Sequence, residues 1–184
     1  GRPSVSSKKL LAHIIKSDSN NKLVSIIDLG CGNAQLYEYF KEIWLKCSYT
    51  GVDFSEKLLE VAKKNNPEVT FIIDDVNLLE KVSGIYDYAI YSHVIEMLSS
   101  PESSLLRSSK IAKKILIRFF EPPEFEVYTV ELKKMETAEN TFVPYLRRKM
   151  SKDYYKMILD KMGHKKIEIH KDKNSKDQIH IITI

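Results

Sequence analysis

The stretch Ile26-Ile27-Asp28-Leu29-Gly30-Cys31-Gly32-Asn33-Ala34 decides how this chain is read. Its apolar first half has the length and character of a strand covered on both faces, and its glycines turn the chain into an amphipathic segment. Glycine permits positive φ and close backbone approach, so a ligand can lie over this turn, at the carboxyl end of the strand where open α/β sheets bind ligands. A Gly-x-Gly alone also fits a tight strand-to-helix turn with no ligand. Two residue choices narrow the ligand class. Asp28 puts a carboxylate beside the turn, which repels a pyrophosphate and attracts an ammonium or sulfonium cation. Gln35 stands where a GxGxxG turn requires its third glycine, which disfavours NAD and FAD. Asp53 follows Gly32 by 21 residues, the spacing at which a carboxylate accepts from both hydroxyls of a ribose. The turn therefore suits a nucleoside that carries positive charge and no phosphate.

Outward from this turn, short apolar runs alternate with helical-period stretches, the pattern of a parallel sheet with crossover helices. Strands are expected over 23–29, 49–53, 69–73, 86–91 and 115–120, with a helix over 7–16 before the first. Leu36, Phe40, Ile43 and Trp44 form one helical stripe, and Leu58, Leu59 and Ala62 form another behind Ser55, which is placed to cap that helix. Glu121-Pro122-Pro123 cannot continue a central strand. Residues 122–150 then show no clear period and are expected to form a substrate-facing insert or lid. Ser151 caps a helix with the stripe Tyr155, Ile158, Leu159 and Met162, stopped by Gly163. Alternating segments at 166–170 and 178–181 read as an antiparallel hairpin. The expected fold is α/β, a doubly wound Rossmann-like, mostly parallel seven-stranded sheet with a C-terminal antiparallel hairpin, in a single domain over 1–184.

Composition limits the class of protein more than its function. The chain has 184 residues, 43% hydrophobic and 29% charged, enough to bury a core and inconsistent with disorder. The formal charge of +4 comes from 29 Lys and Arg against 25 Asp and Glu, but Arg supplies only five of the 29, so basicity is a weak pointer to nucleic acid. Cys31 and Cys47 lack the spacing of a metal site or a disulfide framework and fit a reducing cytoplasm. No apolar run approaches a membrane span, and no charged-then-apolar leader is read at the start. The expectation is a cytoplasmic protein without membrane or metal; the first residues, Gly1-Arg2-Pro3, stay outside the fold reading.

With these residues in place, the sequence resembles the class I S-adenosylmethionine-dependent methyltransferases of small-molecule type, over roughly residues 7–184. Asp28-Leu29-Gly30-Cys31-Gly32 is similar to the family's first motif, which implies that the backbone of Gly30, Cys31 and Gly32 lies against the methionine part of S-adenosyl-L-methionine while Asp28 organises its ammonium. Gly51-Val52-Asp53-Phe54-Ser55 resembles the second, implying Asp53 on the ribose and Phe54 against adenine. Ile72-Ile73-Asp74-Asp75-Val76 resembles the third, implying Asp75 on the adenine amine and the Val76 amide facing the ring, with Asp74 as the alternative acid. The segment 86–96 resembles the fourth strand and its loop, which lies beside the transferable methyl and brings in Ser92. The closing hairpin resembles the family's reversed seventh strand.

Departures from the family's subtypes matter equally. Without Asn/Asp-Pro-Pro-Tyr or Pro-Cys after the fourth strand, amino methylation of adenine or glutamine amides and cytosine carbon methylation are disfavoured. Glu96 is followed by Met97 where members with a Glu/His metal site carry His. In-line displacement on a sulfonium depends chiefly on positioning, with at most one general base. His93 is the candidate base, set against a purely backbone role there; Glu96 is read as structural, and His13, His164, His170 and His180 as surface residues. Tyr145, Arg147 and Arg148 are candidate substrate residues for a carboxylate or phosphate, set against a solvated charged run. The leading expectation is methyl transfer to O, N or S of a small molecule. The alternatives are an RNA acceptor and a cofactor-binding partner subunit without turnover.

Overall fold

The computed structural model describes residues 3–136 and 141–184. Residues 137–140 of the expected insert lie outside the described residues. In chain order the elements are α1 (Pro3–Asp18), β1 (Val24–Leu29), α2 (Gln35–Glu42), β2 (Cys47–Asp53), α3 (Glu56–Asn65), β3 (Thr70–Ile73), β4 (Tyr86–Ser92) and α4 (Pro101–Ser108). They continue with β5 (Ala112–Phe119), β6 (Thr129–Glu136), β7 (Phe142–Lys149), α5 (Lys152–Met162), β8 (Lys166–Lys171) and β9 (Gln178–Thr183). Seven strands form one sheet in the order β3-β2-β1-β4-β5-β9-β8. The pairs from β3 through β5 are parallel, and β9 is antiparallel to both neighbours. Strand β9 alone is therefore reversed, and β8 at the edge runs with the parallel strands. Both the sheet and its closing hairpin are those expected.

Alternate residues of the strands pack on opposite faces. Ile26, Tyr88, Ile90, Leu116, Ile179 and Ile181 meet Leu11, Ala12 and Ile15 of α1 and Leu36 and Phe40 of α2. Ile27, Leu29, Ala89, Tyr91, Ile115, Ile117 and Ile182 meet Leu105 of α4 and Tyr155, Ile158 and Met162 of α5. Ser55 accepts from the Leu58 amide at 3.4 Å and Ser151 from the Tyr154 amide at 3.2 Å, so both expected caps are formed.

Three local expectations are corrected, and the insert takes a defined form. Helix α2 ends at Glu42, and Trp44, at φ 56° and 84% exposed, lies outside the buried stripe. Strand β2 starts two residues earlier than read, because Cys47 and Ser48 pair with Val24 and Ser25. The insert is an antiparallel hairpin, β6 with β7, forming its own two-stranded sheet; Pro144 and the many Lys and Arg residues obscure its alternation in the sequence. His180 is buried, 3% exposed, in contact with Phe119 and accepting or donating at 3.1 Å to Tyr155 Oη. The surface role expected of it from the alternating hairpin segment does not hold, because β9 is an interior strand between β5 and β8. Among the described residues no helix is long and apolar enough to cross a membrane.

Candidate functional site

Parallel strands bring their carboxyl ends to one edge of the sheet, and the reversed β9 brings its amino end to the same edge. Residues 30–34 after β1, Asp53 closing β2, Ser92 and His93 at the end of β4, and Arg118 to Phe120 at the end of β5 consequently meet Asp177, just before β9. Ser7 and Lys8 of α1 complete the group.

The turn after β1 is held by backbone. Gly30 and Cys31 amides both donate to Val52 O, at 2.7 and 3.0 Å. Gly30 has φ 79°, and a Cβ there would lie 2.5 Å from Val94 Cγ2, so this position admits only glycine. Gly32, at φ 55°, faces open space with nothing within 4 Å of where a Cβ would sit. A cavity of about 280 Å³ opens beside it, walled by Asp28, Gly30, Cys31, Asn33, Ser92, His93, Arg118, Phe120 and the α1 residue Lys8. A larger cavity, about 700 Å³, lies against α4 beside Ser99, Arg107 and Tyr154 and contains none of the motif residues.

Asp28 forms the floor of the smaller cavity and is 1% exposed. Its Oδ2 accepts from Tyr49 Oη at 2.6 Å, while Oδ1 is buried with no hydrogen-bond partner. Burial pushes this carboxyl up to about 6, against the downward pulls of Tyr49 and Arg118. Asp53 is buried and rigid. Its Oδ2 accepts from the Gly32 amide at 2.8 Å and its Oδ1 from the Ser55 amide at 2.9 Å, which ties the second strand's end to the glycine turn. Phe54, 78% exposed, lies just beyond. Strand β3 runs beside β2 with Ile73 opposite Asp53, which places Asp75 and Val76 along the same edge. Asp74 is occupied by the Asp75 and Lys81 amides at 2.9 and 2.8 Å, leaving Asp75 as the exposed acid of the pair. Val76 is 4% exposed and its carbonyl accepts from Ser104 Oγ. Asp53, Phe54, Asp75 and Val76 stand outside the lining of the 280 Å³ cavity. The edge thus holds two neighbouring groups, one around Asp28 and one around Asp53.

His93 has φ 61° and is 7% exposed. Its ring stacks on Phe120 and its Nε2 lies 2.8 Å from Asp177 Oδ2. That same oxygen accepts from Ser7 Oγ at 2.6 Å and Arg118 Nη1 at 3.2 Å. Desolvation, followed by the repulsion of Arg118, outweighs Asp177 and holds the His93 imidazolium pKa down to about 4. Ser7, Lys8, Arg118, Phe120 and Asp177 were missed by sequence reasoning, because nothing in their local sequence distinguishes them and the fold assembles them across up to 170 positions.

The candidate substrate residues are dispersed. Arg148 is 9% exposed; its amide donates to Glu96 O at 2.8 Å and its Nη1 to Met97 O at 3.4 Å. It is turned into the loop after β4 and is corrected from a substrate ligand to a brace. Arg147 lies over the Phe120 ring, 4.7 Å from its centroid, and 3.7 Å from Glu121 Oε1. Lys149 pairs with Glu131 at 2.7 Å. Tyr145 is half-buried opposite Lys133 in the β6–β7 ladder. Glu96, 1% exposed, accepts from the Phe120 and Glu121 amides through Oε1; burial raises its carboxyl to about 7.

Residues 26–113 match the family model described as a methyltransferase domain. The chain is 29% identical over 105 residues to a malonyl-[acyl-carrier protein] O-methyltransferase of Bacillus cytotoxicus, covering 56% of this chain and 36% of that protein. It is 28% identical over 134 residues to a demethylmenaquinone methyltransferase of Chlamydia pneumoniae, covering 70% and 57%. The chain thus spans between about a third and somewhat over half of the length of these relatives. Its fold is similar to that of DesVI of Streptomyces venezuelae, with TM-score 0.68 at 12% identity over 100% of this chain and 92% of that one. It is also similar to the 1,6-didemethyltoxoflavin-N1-methyltransferase of Burkholderia thailandensis, solved with S-adenosylhomocysteine, with TM-score 0.66 at 15% identity over 97% and 78%.

Proposed function

We propose that this chain, a member of the class I S-adenosylmethionine-dependent methyltransferase family, binds S-adenosyl-L-methionine along the carboxyl edge of its sheet and moves the methyl group to an O, N or S atom of a small-molecule acceptor. The observation that carries this reading is Asp28: a buried carboxylate oxygen with no partner, on the floor of a cavity, asks for a cationic donor. The ammonium of an amino-acid ligand meets that requirement, and the ammonium of Lys8, which also lines the cavity, suits its carboxylate. Asp53, fixed by two backbone amides, keeps lone pairs for ribose hydroxyls, with exposed Phe54 and Asp75 beyond it for the base. The residues therefore fit the cofactor in sequence along the edge. When bound, it supplies an electrophilic methyl on a sulfonium.

Ser92, His93 and Phe120 wall the cavity beside Gly30, and their part is to hold the acceptor in line and keep water out. Behind Phe120 a second cavity of about 510 Å³ lies between the start of the insert and the β8–β9 turn, and it shares Phe120 and Asp177 with the site. It is the proposed acceptor space. The acceptor is read as a small molecule and not RNA, because the basic run at 147–149 is committed within the chain: Arg147 to Glu121, Arg148 to a backbone carbonyl, Lys149 to Glu131. Of that run it is Lys149 that lines this space, while Arg147 lies over the ring of Phe120, which the space shares, and Tyr145 on the insert is their aromatic neighbour in sequence.

The test is a product assay. Purified protein with methyl-labelled cofactor is offered panels of small carboxylic acids, amines, phenols and thiols, and total RNA separately. Label in a small-molecule fraction supports the proposal; label only in RNA, or in nothing although the cofactor binds, contradicts it.

A further inference from the structure

His93 and Asp177 are 84 positions apart, and their contact exists only because the reversed β9 starts where the parallel strands end. We propose that Asp177 is a positioning residue that holds His93 as its Nε2–H tautomer, so that Nδ1 remains an uncharged hydrogen-bond acceptor for an N–H or O–H of the methyl acceptor. The part concerning the acceptor rests on the methyltransferase reading; the tautomer does not.

The geometry argues it from the oxygen outward. Asp177 Oδ2 receives three donors, Ser7 Oγ at 2.6 Å, His93 Nε2 at 2.8 Å and Arg118 Nη1 at 3.2 Å. A carboxylate so placed has only lone pairs to offer, so the imidazole nitrogen facing it must carry the hydrogen. The ring cannot flip to present its other nitrogen, because it is stacked on Phe120 and 7% exposed. In a neutral imidazole, the nitrogen without hydrogen is then Nδ1.

A histidine–carboxylate pair usually favours the imidazolium. Here burial of the ring prevents it first and the surrounding charges add to this: Arg118 already neutralises Asp177, and Lys8 adds a second cation on the same cavity. The downward shift of the His93 pKa and the downward shift of the Asp177 pKa agree with a neutral ring against an ionised acid. His93 so placed aligns the nucleophile with the methyl, and the proton that the acceptor loses on methylation passes to solvent water and does not stay on the ring. Sulfur acceptors without hydrogen and tertiary amines gain nothing from such a group, which narrows the expected acceptor to a neutral nitrogen bearing an N–H, a hydroxyl or a thiol.

The experiment is long-range proton–nitrogen NMR of uniformly nitrogen-15-labelled protein, with the His93 ring identified by loss of its signals in His93→Gln. The expected result at pH 7 is the Nε2–H coupling pattern, unchanged down to pH 5.5. An Nδ1–H pattern, or a His93 midpoint between pH 6 and 7, overturns the proposal. In Asp177→Ala the pattern is expected to become a tautomer mixture, and Asp177→Asn to restore it in part, since its Oδ1 still accepts. Should either variant fail to fold, the wild-type pH series decides alone. Binding of S-adenosylhomocysteine is measured on the same wild-type samples. A wild-type protein with the right tautomer and no S-adenosylhomocysteine binding would sink the methyltransferase reading, whereas the wrong tautomer sinks this one whether or not the ligand binds.

Discussion

Asp28 places a carboxylate where water cannot reach it and leaves one oxygen without a donor, a costly arrangement unless a ligand completes it. Its pKa, raised from the usual 3.8 to about 6, gives the sign of the effect. A cation prefers the ionised acid, so affinity for S-adenosylhomocysteine, which keeps the ammonium, is expected to fall as pH drops below about 6, by up to about tenfold per unit. Asp28→Asn should weaken binding and flatten that dependence; wild-type affinity that is constant from pH 5 to 7.5 contradicts the assignment. Glu96 behaves likewise without a ligand. Its folded pKa, raised from 4.5 to about 7, means the native state favours the proton. The stability it contributes is full below about pH 4.5 and is lost as pH rises through 7. Part of any fall in the ligand-free melting temperature between pH 5 and 8 should therefore disappear in Glu96→Gln. An identical pH profile in the two proteins would contradict the role given to its buried oxygen. Asp28 was legible in the sequence because it sits inside a local motif. Asp177 and Arg118 were not, since each gains its meaning from partners in other elements.

Among the elements, the reversed β9 decides the most. Local alternation announced a hairpin, but not that β9 would lie inside the sheet between β5 and β8, so His180 was read as exposed when it packs against Phe119 and Tyr155. His180→Ala should cost about 2 to 4 kcal/mol in denaturant unfolding, as large-to-small changes in a core do; a change under about 0.5 kcal/mol would place that strand at the surface. The insert was legible as an interruption and not as a hairpin, because Lys, Arg and Pro obscure the period of two on β6 and β7. Its basic run is bound up with its own fold. Arg148→Ala should lower stability by about 1 to 3 kcal/mol through the freed Met97 carbonyl and the loop after β4, with retention on heparin unchanged. A loss of heparin retention without loss of stability would revive a phosphate-binding role.

For the whole molecule, two helical layers on a twisted sheet leave one edge where the ends of β1, β2, β4 and β5 and the start of β9 meet, and the candidate site is built there from Asp28, Asp53, His93 and Asp177. The order of strands was legible because apolar runs and helical stripes alternate along the chain. The joining of α1 to the closing turn through Ser7, Arg118 and Asp177 was not, because it depends on three-dimensional closure of the two chain ends. The net charge of +4 is likewise no guide to the site, whose buried acids face a cationic ligand while the basic run is paired elsewhere. Calorimetric titration with S-adenosylhomocysteine, on the wild type and on Asp53→Ala at pH 7.5, tests the central claim most directly. One-site binding in the wild type, weakened at least tenfold in a still-folded Asp53→Ala, is the result predicted; no heat and no thermal shift in the wild type, or equal binding by the two, would contradict it.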